Sequence, residues 1–272
     1  VTGLPIQRVG LIGWPVEHSV SPAMHNAAFA ALGLGWRYDA LPTPPGRVEA
    51  TLDELRSQGY RGANVTVPHK EAVLPYLDEI DACARAIGAV NTIVVQEGRL
   101  VGHNTDAGGF LAALREAGFE PSGRRALLLG AGGAARAVVY ALARAGCTVA
   151  LYNRTPRRAL ELAQCLGDIA PVAVLEALAG AEPDSLELLV NTTPVGMWPQ
   201  AGVSPWPEAL PLPAHWTVFD LVYNPAETRL LAQARAAGAT AVGGLGMLVH
   251  QGALAFALWT GHAPPLDAMR AA

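Results

Sequence analysis

Apolar and polar positions along this 272-residue chain fall into short blocks that switch between a strand period and a helix period. "RVGLIG" (8–13) reads as a short buried strand. "SPAMHNAAFAALGL" (21–34) reads as a helix with Ser21 as N-cap, Pro22 at the first helical position and Gly33 near its end. "WRYDAL" predicts a second strand, "RVEATLDELRSQG" a second helix, and "GANVTV" a third strand stopped by Pro68. After a mixed helical stretch, "NTIVVQEGRLVGHN" (91–104) predicts two strands joined by a glycine-containing turn, and "TDAGGFLAALREAG" (105–118) an amphipathic helix. "EPSGRR" ends that helix and marks a crossing between domains. A fresh strand–helix–strand unit then begins: "RALLLG", "GGAARAVVYALARAG", "CTVALYN". Further strands are expected at 186–191, 217–222 and 239–244, with the proline-rich segment 195–214 as a loop. The last helix, "GMLVHQGALAFALWTG" (246–261), is apolar nearly all round, which predicts burial against more than one neighbour.

Strands alternating with helices define an α/β protein with mostly parallel sheets, and the length suits two domains. With 51% hydrophobic and 15% charged residues the chain can bury a sizeable core. A net charge of −4 gives no broad basic surface for nucleic acid or an anionic membrane. No apolar run is long enough to span a bilayer, and the N-terminus lacks a basic-then-apolar leader. Cys83, Cys147 and Cys165 are odd in number and far apart, as expected of reduced thiols in the cytoplasm. The seven histidines form no metal-binding set, so no metal is expected.

Two stretches change the picture from fold to chemistry. "LLLGAGGAAR" (127–136) follows a strand and opens a helix, and Gly130, Gly132 and Ala135 fit G-x-G-x-x-G/A. The first glycine allows a tight turn, the second lets backbone approach a pyrophosphate, and the third small residue lets helix pack on strand. A chain that takes NAD carries an acid after the second strand of this unit, for the ribose 2′-hydroxyl. Here the sequence is "YNRTPRR": Asn153, Arg154, Thr155, Arg157 and Arg158, with no acid. Arginine forks match a 2′-phosphate, so the expected cofactor is NADP(H).

The second stretch holds Lys70, the single lysine in the chain; the other 18 of 19 basic residues are arginines. An ammonium can release and regain a proton where a guanidinium cannot, so proton chemistry is expected there. Four stretches are dense in polar groups at expected strand ends, where an open α/β sheet places its ligand crevice: "EHSVSPAMHN", "NVTVPHK", "GAVNT" and "HNTD". Ser19 and Ser21 offer hydroxyls beside a helix start, suited to a carboxylate, although Ser21 also suits a simple cap. Asn64, Thr66 and Asn91, neutral donor–acceptors, suit hydroxyl groups. Asp106 is either a helix cap or a partner for Lys70.

"SVSPAMHN", "NVTVPHK", "GAVNT", "NTD", "GAGGAARA", "NRT", "NTTPVGM", "DLVYNP" and "GLGMLVHQ" occur in this order along the chain. In these motifs the chain resembles the shikimate/quinate dehydrogenase family along its whole length. The resemblance implies NADPH-dependent reduction of 3-dehydroshikimate to shikimate, in aromatic amino-acid biosynthesis. It implies a substrate domain (1–106 and 243–272), a Rossmann-type NADP domain (107–242), a deep cleft between them, and a last helix that returns to the substrate domain. Carried over residue by residue, it puts the substrate carboxylate on Ser19 and Ser21, and the ring hydroxyls on Asn64, Thr66, Asn91, Asp106 and Gln251, with Tyr223 nearby. It makes Lys70 and Asp106 the catalytic pair. It assigns the cofactor to Gly130, Ala131, Gly132, Gly133 and Ala134, to Asn153, Arg154, Thr155 and Arg158, and, on the nicotinamide side, to Thr192, Leu221, Gly244 and Met247. The partner implied is a small molecule rather than nucleic acid or membrane, with a homodimer as the expected assembly. Three rival readings are a quinate-preferring dehydrogenase, a non-catalytic NADP sensor and a folate-linked dehydrogenase. The sensor has no use for Lys70 and Asp106, and the serine pair argues against the folate-linked enzyme.

Overall fold

A computed structural model describes residues 5–169 and 171–272. The chain divides into two units, Val1–Gly108 with Val249–Ala272, and Gly109–Leu248. The first carries a six-stranded mixed sheet of β1 (Gln7–Gly13), β2 (Trp36–Pro42), β3 (Tyr60–Val65), β4 (Glu79–Ile80), β5 (Thr92–Gln96) and β6 (Arg99–His103), in the order β2-β1-β3-β5-β6-β4. β1 runs parallel to β2 and β3, while β5 is antiparallel to both β3 and β6. The end of β3, the start of β5 and the end of β6 therefore meet at one edge, where Asn64 faces Thr92 and Thr92 faces His103.

Behind the sheet, α2 (Val48–Ser57) buries Leu52 and Leu55 against Ile12, Val65, Ile93 and Leu100. Its apolar residues recur at helical spacing, so one stripe meets the core while Glu49 and Asp53 stay outside. Each such leucine, fully buried, stabilises the unit by about 1.5–3 kcal/mol. α8 (Leu245–Thr260) supplies Phe256, stacked on Phe29 at 5.2 Å, and Trp259, whose indole N–H donates to the Ile93 carbonyl at 2.9 Å. That indole lies close on β3 because residue 62 is glycine; a Cβ there would come within 2.4 Å of the indole nitrogen.

The second unit holds β7 (Arg125–Leu129), β8 (Thr148–Tyr152), β9 (Val172–Val174), β10 (Leu188–Asn191), β11 (Thr217–Asp220) and β12 (Thr240–Gly243). All pair in parallel, in the order β12-β11-β10-β7-β8-β9. Counted from β7 this is 6-5-4-1-2-3, the doubly wound Rossmann order, with its switch point between β7 and β10. Parallel strands covered on both faces read as near-continuous apolar runs, as "ALLL" and "LLVN" do, and every residue of β10 is buried.

Several expectations need correction. Ser21 is not the N-cap of α1 (Ser21–Ala31) but its first helical residue. Val20 already has helical backbone angles and its carbonyl accepts from Met24 N–H, so the helix starts one residue early. The "EPSGRR" stretch lies inside the second unit, and the units divide at 108/109 and 248/249. Both lie inside helices, α4 (Asp106–Glu116) and α8, where composition leaves no mark. β4, β9, α7 (Arg229–Ala236) and α9 (Leu266–Ala271) are not anticipated by the pattern, three of them because they are too short for a period to register. No helix among the described residues is long and apolar enough to cross a membrane.

Candidate functional site

At the shared edge of the first sheet, the segment after β3 turns sharply and is pinned in place. His69 is buried and its Nε2 bonds the Thr43 carbonyl at 2.6 Å, while the Lys70 carbonyl accepts from Val90 N–H at 2.8 Å. Lys70 Nζ consequently reaches Asp106 Oδ2 at 2.6 Å, with only 16% and 5% of the two side chains exposed. A buried ion pair of this kind offsets its desolvation only when the remaining lone pairs are bonded. The second carboxylate oxygen is bonded here: Asp106 Oδ1 accepts from Asn91 Nδ2 at 2.9 Å. The cap reading of Asp106 fails here, since Asn104 Oδ1 accepts from Ala107 N–H at 3.2 Å at the start of α4.

Asn91 is the hub. Its two Nδ2 hydrogens are shared between Asp106 Oδ1, Thr105 Oγ1 at 2.9 Å and Gln251 Oε1 at 3.3 Å, and its Oδ1 accepts from Thr105 N–H at 2.7 Å. Asn64 donates to the Asn91 carbonyl and to Thr92 Oγ1, at 3.2 and 3.1 Å. Thus Asn64, Lys70, Asn91, Asp106 and Gln251 form one bonded group. Thr66 follows β3 directly, half-buried, and its N–H bonds the Ile12 carbonyl at 2.8 Å. Ser19 and Ser21 flank the start of α1, where no side chain caps Val20 and Ser19 Oγ accepts from Ser21 N–H at 3.3 Å. Helix-start amides beside two hydroxyls suit an anion. A groove of about 580 Å³ opens at the other end of these strands, lined by Arg61, Gln96, Arg99 and Trp259, and includes none of the candidates.

In the second unit the glycine loop leads from β7 into α5 (Gly133–Arg144). Gly130 has φ +112°, and a Cβ there would fall 2.6 Å from Thr192 Oγ1, so only glycine lets the loop after β10 close over it. Thr192 Oγ1 donates to the Leu129 carbonyl at 2.7 Å. Ala131, Gly133 and Ala134 are half-buried and Gly132 is exposed, with no side-chain cap at the helix start. This is an open cradle of backbone N–H groups at the switch point, and it fits a dinucleotide pyrophosphate.

Past β8, Asn153 Nδ2 bonds the Thr155 carbonyl at 2.8 Å, shaping the turn into α6 (Pro156–Cys165). Arg157 is paired with Glu161 at 2.7 Å, whereas Arg154 and Arg158 are exposed and have no ion-pair partner among the described residues. Leu221 and Tyr223 are half-buried, and Gly244 and Met247 buried, on the segments that follow β11 and β12.

Sequence reasoning missed the residues that hold these in place. Thr92 and Thr105 stand inside "GAVNT" and "NTD" but bond other protein groups. Asp220, fully buried, accepts from Asn191 Nδ2, Val222 N–H and Thr228 Oγ1 at 2.8, 3.1 and 2.7 Å. Burial pushes its carboxyl above the ordinary value, against these three donors, which pull it down. Its place at the head of "DLVYNP" follows no period or spacing that would mark it.

A parallel sheet in Rossmann order with a glycine cradle, in one chain with a buried lysine–aspartate pair, defines the class: a dinucleotide-dependent dehydrogenase. Residues 11–93 match the shikimate dehydrogenase substrate binding domain, 112–181 the shikimate / quinate 5-dehydrogenase family, and 244–272 the shikimate 5′-dehydrogenase C-terminal domain. The shikimate dehydrogenase (NADP(+)) of Moorella thermoacetica is 54% identical over 267 residues, 96% of this chain and 90% of its own length. The crystal structure of shikimate 5-dehydrogenase from Thermus thermophilus in complex with NADP(H) and shikimate matches with a TM-score of 0.89 and 46% identity, covering 97% of each chain. Quinate dehydrogenase from Corynebacterium glutamicum in complex with NAD matches with a TM-score of 0.89 and 35% identity, covering 98% of each chain. The chain belongs to the shikimate dehydrogenase family.

Proposed function

We propose that this chain catalyses the reversible, NADPH-dependent reduction of 3-dehydroshikimate to shikimate, with Lys70 as acid and base and Asp106 as its partner. The observation that carries this reading is the buried contact of Lys70 Nζ with Asp106 Oδ2, continued through Asn91 to Asn64 and Gln251. Bound NADPH supplies a hydride to the carbonyl carbon. As negative charge gathers on the carbonyl oxygen, the Lys70 ammonium stabilises it and donates the proton that completes the hydroxyl. Asp106 fixes the ammonium in position. In the oxidative direction the neutral amine of Lys70 accepts the hydroxyl proton.

Ser19 and Ser21 hold the substrate carboxylate at the start of α1; Asn64, Thr66, Asn91 and Gln251 hold the ring hydroxyls, with Tyr223 nearby. The glycine loop 130–134 binds the pyrophosphate, with Asn153 and Thr155 shaping the adjoining turn. Arg154 and Arg158 take the 2′-phosphate, supported by their lack of other ion pairs among the described residues. Thr192, Leu221, Gly244 and Met247 line the nicotinamide end. The free thiols of Cys83, Cys147 and Cys165 support a cytoplasmic setting. The expected homodimer is read directly by sedimentation.

The test follows NADPH formation from NADP⁺ with shikimate, with quinate and with buffer alone. Turnover of shikimate well above quinate supports the reading. A preference for quinate, or no turnover of either, rejects it.

A further inference from the structure

The "HN" that closes the "SVSPAMHN" motif has no part in the site described so far, yet both residues grip one neighbour. Asn26 Oδ1 accepts from Tyr38 N–H at 2.8 Å, and Asn26 Nδ2 donates to the Tyr38 carbonyl at 3.1 Å. His25 stacks on the Tyr38 ring with centroids 4.5 Å apart and planes 2° from parallel. Neither nitrogen of this fully buried imidazole has a hydrogen-bond partner among the described residues, so what it gives Tyr38 is the flat face of its ring. Held by ring and backbone, Tyr38 donates its hydroxyl proton to Asn64 Oδ1 at 2.9 Å.

That bond decides what Asn64 has left to offer. The Asn91 carbonyl can only accept, so Asn64 Nδ2 must be the group that faces it, and the amide orientation is forced. Both Nδ2 hydrogens are then used, on that carbonyl and on Thr92 Oγ1. Tyr38 occupies one of the two lone pairs of Oδ1. A single acceptor position remains. The polarity runs on from there: Thr92 Oγ1 donates to Asn91 Oδ1 at 3.2 Å, and Asn91 Nδ2 donates to Asp106 Oδ1. The chain of bonds from Tyr38 therefore ends on the carboxylate that holds Lys70.

We propose that Tyr38, clamped by His25 and Asn26, is a positioning residue: its hydroxyl holds Asn64 Oδ1 in place and takes one of its two lone pairs, so that the other is aimed at a substrate hydroxyl that donates to it. The inference rests on the proposed function, with Asn64 among the substrate ligands. A ring carbon bearing a keto oxygen or no oxygen at that position loses the contact.

Tyr38→Phe is the test, since it keeps the stacked ring and both Asn26 bonds and removes one O–H. The KM for shikimate should rise about two- to tenfold, as for loss of one neutral hydrogen bond, with kcat within about twofold and the KM for NADP⁺ unchanged. Made in an Asn64→Ala background, the same change should add almost nothing, because it acts through Asn64. A structural defect would instead add the same loss in both backgrounds. An unchanged KM in Tyr38→Phe, or an equal loss in both backgrounds, overturns the inference while leaving the function intact. A wild-type chain that forms no NADPH from shikimate overturns both. Should Tyr38→Phe not fold, Asn26→Ala, which loosens the clamp and keeps the phenol, carries the same comparison.

Discussion

The polar groups of the first unit and those of the second are prepared for their ligands in opposite ways. Around Lys70 the side chains of Asp106, Asn91, Thr105, Thr92, Asn64 and Gln251 are already bonded to one another. In the second unit the groups proposed to meet the cofactor are open: Gly132 is exposed, and Arg154 and Arg158 lie in solvent without ion pairs among the described residues. A bonded group fixes geometry before the ligand arrives, which suits proton transfer, where placement decides the rate. Solvated arginines on the surface place little and are chosen for charge. Substitutions in the first region should therefore act together, and those in the second one at a time.

The largest expected effect lies at Lys70. Lys70→Ala should bind shikimate and NADP⁺ nearly normally and lose roughly 10²–10⁴-fold in turnover, read by steady-state kinetics. Lys70→Arg keeps the charge and removes the exchangeable proton, so it should rescue little. A fully active arginine variant would reduce this lysine to an electrostatic contact, and the contrast between the two units with it.

Next comes Arg154→Ala. Losing one charged hydrogen-bonding partner, at about 1.5–3 kcal/mol, should weaken NADP(H) by roughly ten- to a hundredfold and leave NAD(H) almost untouched. Equal losses for both cofactors would remove the 2′-phosphate from this arginine. Arg157→Ala, by comparison, should change little, since its partner is Glu161.

A smaller effect, on stability rather than rate, concerns His25. Burial lowers its pKa from 6.5 to about 3. The unfolded chain then takes up a proton near pH 6.5 that the folded chain refuses until about pH 3, so the stability is present above 6.5 and lost as pH falls through that window. Urea unfolding of the wild type should lose about 2–3 kcal/mol more between about pH 7 and 4.5 than His25→Phe, which keeps a ring against Tyr38 and does not titrate. Parallel pH dependence of the two chains would mean that this histidine is charged or solvated in the fold.

How far these features can be read from the sequence follows from the kind of signal each leaves. The longer strands and α1, α2, α4, α5 and α8 show in the sequence because burial on one or both faces imposes a period. The glycine loop shows because backbone geometry at Gly130 admits one residue type. Lys70 stands out only through the accident that every other basic residue is arginine. Tyr38, Thr92, Thr105 and Asp220 leave no such mark, since a hydrogen bond across 26 or 14 residues depends on register and rotamer, not on spacing. The same holds for the breaks between the units, which fall inside continuous helices.

The contrast between a bonded region and an open one is tested most directly by the double substitution Lys70→Ala with Asp106→Asn. Each single change should cost much of the turnover, and the pair should cost clearly less than the two losses multiplied, as for groups that act as one unit. Strictly multiplicative losses would show two independent roles and contradict the account.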